Sequence, residues 1–130
     1  MVRFKSAAQK YQCYSDDDQN IVVDVTSDRG GTGAGIRPYE LLEAALASCM
    51  NISLRKQAEK EGIQLEKIET TVSLNRDIEG KTIFEYECTI LDELDKQTTE
   101  KIKSILQNCL IRKILSNQIE FKETSLNFYC

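Results

Sequence analysis

The stretch that decides the fold is Pro38-Tyr39-Glu40-Leu41-Leu42-Glu43-Ala44-Ala45-Leu46-Ala47-Ser48-Cys49-Met50. A proline at its head is tolerated in a first helical turn, where its missing N–H has no partner to lose. Glu40, in the same turn, suits the positive end of the helix dipole. Leu41, Leu42, Ala45, Leu46, Cys49, Ile52 and Ser53 recur at three- and four-residue intervals and so share one helical face. Lys60-Glu61-Gly62 supplies a basic last turn and a glycine stop. The reading predicts one helix of about 24 residues, on the order of 36 Å long, with Cys49 buried near its middle. The small side chains of Ala44, Ala45, Ala47 and Ser48 let another element approach it closely.

Outward from that helix the periods change. Upstream, residues 2–7, 11–15 and 21–25 read as three short strands of a meander, with a polar turn at residues 15–20 and a glycine-rich loop over residues 26–37. Downstream, residues 63–76 and 82–91 read as an antiparallel pair joined by a turn at Asp77-Ile78-Glu79-Gly80. Residues 98–115 return to helical spacing through Ile102, Ile105, Leu106, Cys109, Leu110 and Ile114, and residues 119–128 alternate as a last strand. The expected class is α+β in the order βββ-α-ββ-α-β, antiparallel sheets around a long central helix. No repeat or linker divides residues 1–130, so a single domain is expected.

Composition narrows the function. With 130 residues, 41% hydrophobic and 29% charged, the chain is long enough to bury a core without staples. A net charge of −4 with scattered basic residues argues against nucleic acid as a partner. Met1-Val2-Arg3-Phe4-Lys5 leads into polar sequence rather than a secretory pattern, and the apolar run at residues 41–54 is too short to span a bilayer. A cytoplasmic protein with no membrane association is the expectation. The five cysteines are widely spaced with no C-x-x-C, and there is no histidine. That speaks against a zinc site, a disulfide scaffold and a cofactor, and it removes histidine-based nucleophilic catalysis. Any activated thiol here depends on an Arg, Lys, Glu, Tyr or backbone amide.

Several features have plain readings. Gly30-Gly31-Thr32-Gly33-Ala34-Gly35 fits neither a dinucleotide fingerprint nor a phosphate loop, and reads as a connector. Asp16-Asp17-Asp18 reads as a solvated hairpin tip, and Glu66, Glu69, Glu85 and Glu87 as an exposed sheet face. Cys13, Cys88 and Cys130 read as incidental. Cys49 and Cys109 each lie on an apolar helical face, where burial favours an inert, neutral thiol.

The segment Arg37 to Met50 also resembles the signature of the OsmC/Ohr family, the osmotically induced and organic-hydroperoxide-resistance proteins. Their shared pattern is Pro-x-Glu-Leu-Leu-x-Ala-Ala-Leu-Ala-Ser-Cys. A family cysteine within the last helical region corresponds to Cys109, and the expected element order agrees along nearly the whole chain. The resemblance implies an intertwined homodimer with two sites at the subunit interface. It implies reduction of organic hydroperoxides in oxidative-stress defence, with Cys49 peroxidatic, Cys109 resolving, and a dithiol such as a dihydrolipoyl protein as reductant. In the peroxidase branches a glutamate directly after the motif proline holds an arginine on the reactive sulfur. That position here is Tyr39, with Glu40 one step later, and Arg3, Arg29 and Arg37 are the candidate arginines by location. Leu110 stands where the family places a proline after its second cysteine. Arg37, Tyr39 and Glu40 are therefore the supporting residues of the expected site. The alternative is a non-catalytic member that binds a small apolar ligand and keeps both cysteines as packing.

Overall fold

The computed structural model describes residues 2–15 and 20–128. The acidic turn Asp16-Asp17-Asp18 and Cys130 lie outside the described residues. Three short antiparallel strands open the chain, β1 (Phe4–Ser6), β2 (Cys13–Ser15) and β3 (Val22–Val23), in the order β1-β2-β3. Phe4 faces Ser15, and Cys13 faces Val23.

After β3 the chain closes on itself around a buried carboxylate. Asp24 accepts from the backbone N–H of Val25 at 2.7 Å, the N–H of Thr32 at 3.1 Å and the Thr32 hydroxyl at 2.6 Å. The Thr32 hydroxyl bond is the main reason its carboxyl is held below the usual range, against the opposing effect of burial. Gly35 lies at φ +67°, and a Cβ there would press on the Val22 carbonyl. Both the left-handed backbone and the close approach require glycine. Ile36 then bridges to Val23 and hands the chain to the long helix.

That helix, α1, runs Pro38–Lys60. It ends in a Schellman turn: Gly62 at φ +75° donates to the Glu59 carbonyl at 3.0 Å, and Ile63 donates to Ala58 at 2.8 Å. The buried stripe is Leu46, Met50, Leu54 and Ala58, spaced by four. It differs from the expected face: Leu42 and Ile52 are each 48% exposed, and Cys49 is half-buried. The cause is that β4 and β5 cover only one side of the helix, so apolar residues elsewhere on it remain open.

The second sheet is the hairpin β4 (Ile68–Asn75) and β5 (Ile83–Ile90), paired from Ile68↔Ile90 to Asn75↔Ile83. Side chains tie it to α1. Leu74 N–H donates to Glu43 Oε2 at 2.7 Å, Thr70 Oγ1 to the Ala47 carbonyl at 2.8 Å, and Asn51 Nδ2 to the Ile68 carbonyl at 3.2 Å. The helix thus satisfies groups that a two-stranded sheet would leave open.

The expected last helix is two helices. α2 (Lys96–Leu106) starts at Asp95, whose carboxylate accepts from Thr98 N–H at 2.7 Å. Residues 107–109 break the helix, and α3 runs Leu110–Ser116 with Cys109 as its extended N-cap. The expected final strand is absent among the described residues: residues 118–128 carry no regular structure, and Phe121 is 97% exposed. A strand needs an edge to pair with, and none of the described strands pairs with this segment. No helix among the described residues is long and apolar enough to cross a membrane.

Two clusters make the core. Leu46, Met50, Val72 and Cys109 form one, and Leu54, Ala58, Leu65 and Ile102 the other, with Leu106 packed on both. Leu54 has no exposed surface. Leu54→Ala is expected to cost about 2–5 kcal/mol of unfolding free energy in urea titration. A loss below about 1 kcal/mol would contradict the assignment of the buried stripe.

Candidate functional site

Cys49 lies on α1 one position before Met50, at the edge of the first cluster, and Cys109 lies within that cluster. The break at residues 107–109 makes this possible. It turns Cys109 into an extended residue (φ −71°, ψ 150°) that is 1% exposed and packs on the centre of α1. Both thiols are free. Among the described residues no group of histidine, cysteine, aspartate and glutamate side chains gathers to hold a metal ion.

The two sulfurs are electrostatically unequal. Burial raises the Cys49 thiol, but four donors together outweigh it and its pKa lies below the ordinary thiol value. They are the backbone N–H of Ile111, the Ser53 hydroxyl, the Cys109 thiol and the backbone N–H of Leu110. Ser53 Oγ lies 3.9 Å from Cys49 Sγ. The largest of these lowering influences is the Ile111 amide in the first turn of α3, where a helix leaves its N–H groups unpaired. Cys109 goes the other way: burial raises it most, the Arg112 backbone amide opposes, and the charge and hydrogen bond of Cys49 raise it further. The two shifts run in opposite directions, Cys49 below and Cys109 above the ordinary thiol value.

The supporting residues named from the sequence sit elsewhere. Arg37, Tyr39 and Glu40 cluster at the start of α1, about 15 Å along the helix from Cys49. The Arg37 guanidinium donates to its own loop, at the carbonyls of Gly33 (3.1 Å), Ala34 (3.3 Å) and Gly35. Its Nε is buried without a hydrogen-bond partner, 3.9 Å from Glu40 Oε1. Arg76 lies over the Tyr39 ring at 5.1 Å. Within one chain the structure brings Cys49 and Cys109 together and leaves these three apart from them.

Sequence reasoning missed the amides of Leu110 and Ile111, and the pair Arg112–Tyr86. Arg112 donates to Tyr86 Oη at 3.0 Å and lies 5.5 Å over its ring. A backbone amide has no residue signature. Between α1, β5 and α3 opens a cavity of about 560 Å³ lined by Leu42, Leu46, Met50, Phe84, Tyr86 and Arg112, among others. It is mostly apolar and adjoins the cluster that holds both cysteines.

A family model described as OsmC-like protein matches residues 31–124. Among solved structures, a Psychrobacter arcticus protein provisionally assigned to osmotic stress and detoxification response superposes with TM-score 0.71 at 22% identity. The match covers 87% of this chain and 85% of that one. The organic hydroperoxide resistance protein OsmC of Legionella pneumophila gives 0.64 at 20% identity, covering 89% of each chain. The organic hydroperoxide resistance protein OhrB of Bacillus subtilis gives 0.62 at 22%, also covering 89% of each. At these identities the structural likeness establishes the fold. No protein among the curated sequences compared matches the chain.

The inequality of the thiols has a direct readout. Iodoacetamide at neutral pH should label Cys49 ahead of Cys109 by peptide mass spectrometry. The Cys49 rate should rise through a midpoint below that of an ordinary thiol, because a lowered pKa populates the thiolate at lower pH. Leu110→Pro removes one amide donor and should move that midpoint upward. The fold should tolerate it, since Cys109 already has the extended backbone that precedes a proline and Leu110 is the first residue of α3. An unchanged midpoint would exclude the Leu110 amide as a donor.

Proposed function

The chain belongs to the OsmC-like family, and from that premise we propose that it is a thiol-dependent peroxidase acting on organic hydroperoxides. One observation carries the reading: a half-buried thiol whose pKa lies below the ordinary thiol value packs against the cluster holding a second, buried thiol whose pKa lies above it. The Cys49 thiolate attacks the distal oxygen of ROOH, the O–O bond breaks, and RO⁻ leaves to be protonated as ROH. Cys49 becomes a sulfenic acid. The Cys109 sulfur then attacks the Cys49 sulfur, forming a disulfide and releasing water. A dithiol, such as that of a dihydrolipoyl protein, exchanges with the disulfide and restores both thiols.

The apolar cavity beside the cluster supports an organic rather than a fully hydrated peroxide. It equally supports the second reading, a non-catalytic member that binds a small apolar ligand there. In the peroxidase reading the protein acts in oxidative-stress defence.

The same proposal includes a homodimer. Ile119, Phe121, Leu126 and Phe128 are 54–97% exposed on a segment that pairs with none of the described strands. Leu42 and Ile52 of α1 are open as well. A second copy that offered a sheet edge to residues 119–128 would cover these side chains and give the intertwined form.

Cumene hydroperoxide added in slight excess should yield a Cys49–Cys109 disulfide by peptide mapping, and dithiol should sustain peroxide consumption. Cys49→Ser should abolish both. If neither disulfide nor turnover appears in the unaltered protein, while an apolar probe binds the cavity, the ligand-binding reading stands instead. Sedimentation at micromolar concentration should give a dimer; a monomer would refute the assembly.

A further inference from the structure

The reaction scheme above uses none of three arginines that the fold brings to one cleft. Arg29 ends the short 3₁₀ turn Ser27–Arg29 after β3, Arg37 caps the start of α1, and Arg76 follows the last residue of β4. With Val25, Asp28 and Tyr39 among its other lining residues, they border a cavity of about 510 Å³, a size typical of small-molecule clefts. Neither cysteine of the thiol pair lines it. Tyr39 and Arg76 form its common wall with the apolar cavity.

Two of the three cations are already held in place. Arg37 is laced by its Nη2 to the carbonyls of Gly33, Ala34 and Gly35, and Arg76 lies 5.1 Å over the Tyr39 ring. Neither contact neutralises the charge. Among the described residues, Arg29 and Arg76 stand in no direct ion pair, and Glu40 is 3.9 Å from Arg37 Nε. Asp28 is the carboxylate in the lining, and the largest influence lowering its pKa is the Thr26 side chain, with Arg29 the smallest. Three guanidiniums against Asp28 and Glu40 leave the cleft net positive. The Arg37 Nε–H is moreover buried without an acceptor, a cost that an incoming oxygen would remove.

We propose that this cleft binds a small organic anion, a carboxylate or a phosphate monoester, with its oxyanion head between Arg29, Arg37 and Arg76. Planar guanidinium forks match the oxygens of both heads, and two forks fixed in advance lose little freedom when the ligand arrives. The cavity is larger than one oxyanion fills, and Val25 and the Tyr39 ring supply apolar contact for an organic body. This site is independent of the peroxidase reading. It gives the chain a ligand that is recognised by charge beside a cavity that selects by apolar surface.

The test is calorimetric titration of the full, reduced protein with phenyl phosphate and with benzoate, in the absence of peroxide. At least one should bind saturably, the tighter of the two identifying the head group, and the affinity should fall as salt is raised. Benzyl alcohol, the same ring without a charge, should not displace it. Arg29→Gln should weaken binding about tenfold, the equivalent of one lost charge-assisted contact, and Arg29→Lys should weaken it less. Arg29 is exposed and lies outside the bonds that lace the loop, so the fold should tolerate both. A second readout needs no variant: in nitrogen-15 NMR of the unaltered protein, the Arg37 Nε–H signal should shift as the anion saturates. Failure of both anions to bind, displacement by benzyl alcohol, unchanged affinity in Arg29→Gln, or an unmoved Arg37 signal at saturation would overturn the proposal. Because no turnover is measured, its failure and that of the peroxidase reading are separate results.

Discussion

The stripe Leu46, Met50, Leu54 and Ala58 is the surface on which β4, β5, α2 and α3 meet, and its spacing sets their arrangement. Residues four apart advance about 40° more than a full turn, so the stripe winds by roughly 120° between Leu46 and Ala58. Elements packed on it must follow an inclined line. Ile102 of α2 meets its C-terminal half, Leu106 touches both clusters, and the chain then turns at residues 107–109 to place Cys109 on the N-terminal half. The break in the last helical region is thus tied to the packing of the core. The same turn creates a new helix start in the middle of the molecule.

That helix start is what makes the thiols unequal. A cysteine in the middle of a helix gains nothing from its own helix dipole, and burial alone leaves it neutral. Cys49 escapes this because the unpaired amides of Leu110 and Ile111 face it from another helix, with Ser53 and Cys109 adding donors. Cys109, one residue before those amides, is buried, and burial first and then Cys49 raise its pKa against the Arg112 amide. A single local event, the extended backbone at Cys109, therefore positions the second sulfur and polarises the first.

Much of this was legible in the sequence where a residue type carries the signal. Pro38 and Gly62 marked the ends of α1, and alternation with the Asp77–Gly80 turn marked the hairpin, because sterics at those residues leave few options. The pairing of Cys49 with the cluster of Cys109 followed from the family motif and not from periodicity. What was not legible depends on something no side chain encodes. Leu42 and Ile52 fit the helical period yet are each 48% exposed, off the stripe on which the described elements pack. Residues 119–128 carry a strand's alternation but pair with none of the described strands. The amide donors are common to every residue, and only the backbone break reveals them.

The departures at Tyr39 and Leu110 take on meaning together. Arg37 is occupied by its own loop carbonyls and Glu40, and Arg76 is stacked on Tyr39, so neither guanidinium reaches Cys49 within the chain. Leu110, unlike a proline, retains an N–H, and that N–H is one of the donors on the sulfur. Within this chain the influences that lower the Cys49 pKa thus come from neutral dipoles and not from a cation. Dipoles fixed in a backbone cost no side-chain ordering when the charge forms, and salt screens them less than it screens a surface ion pair.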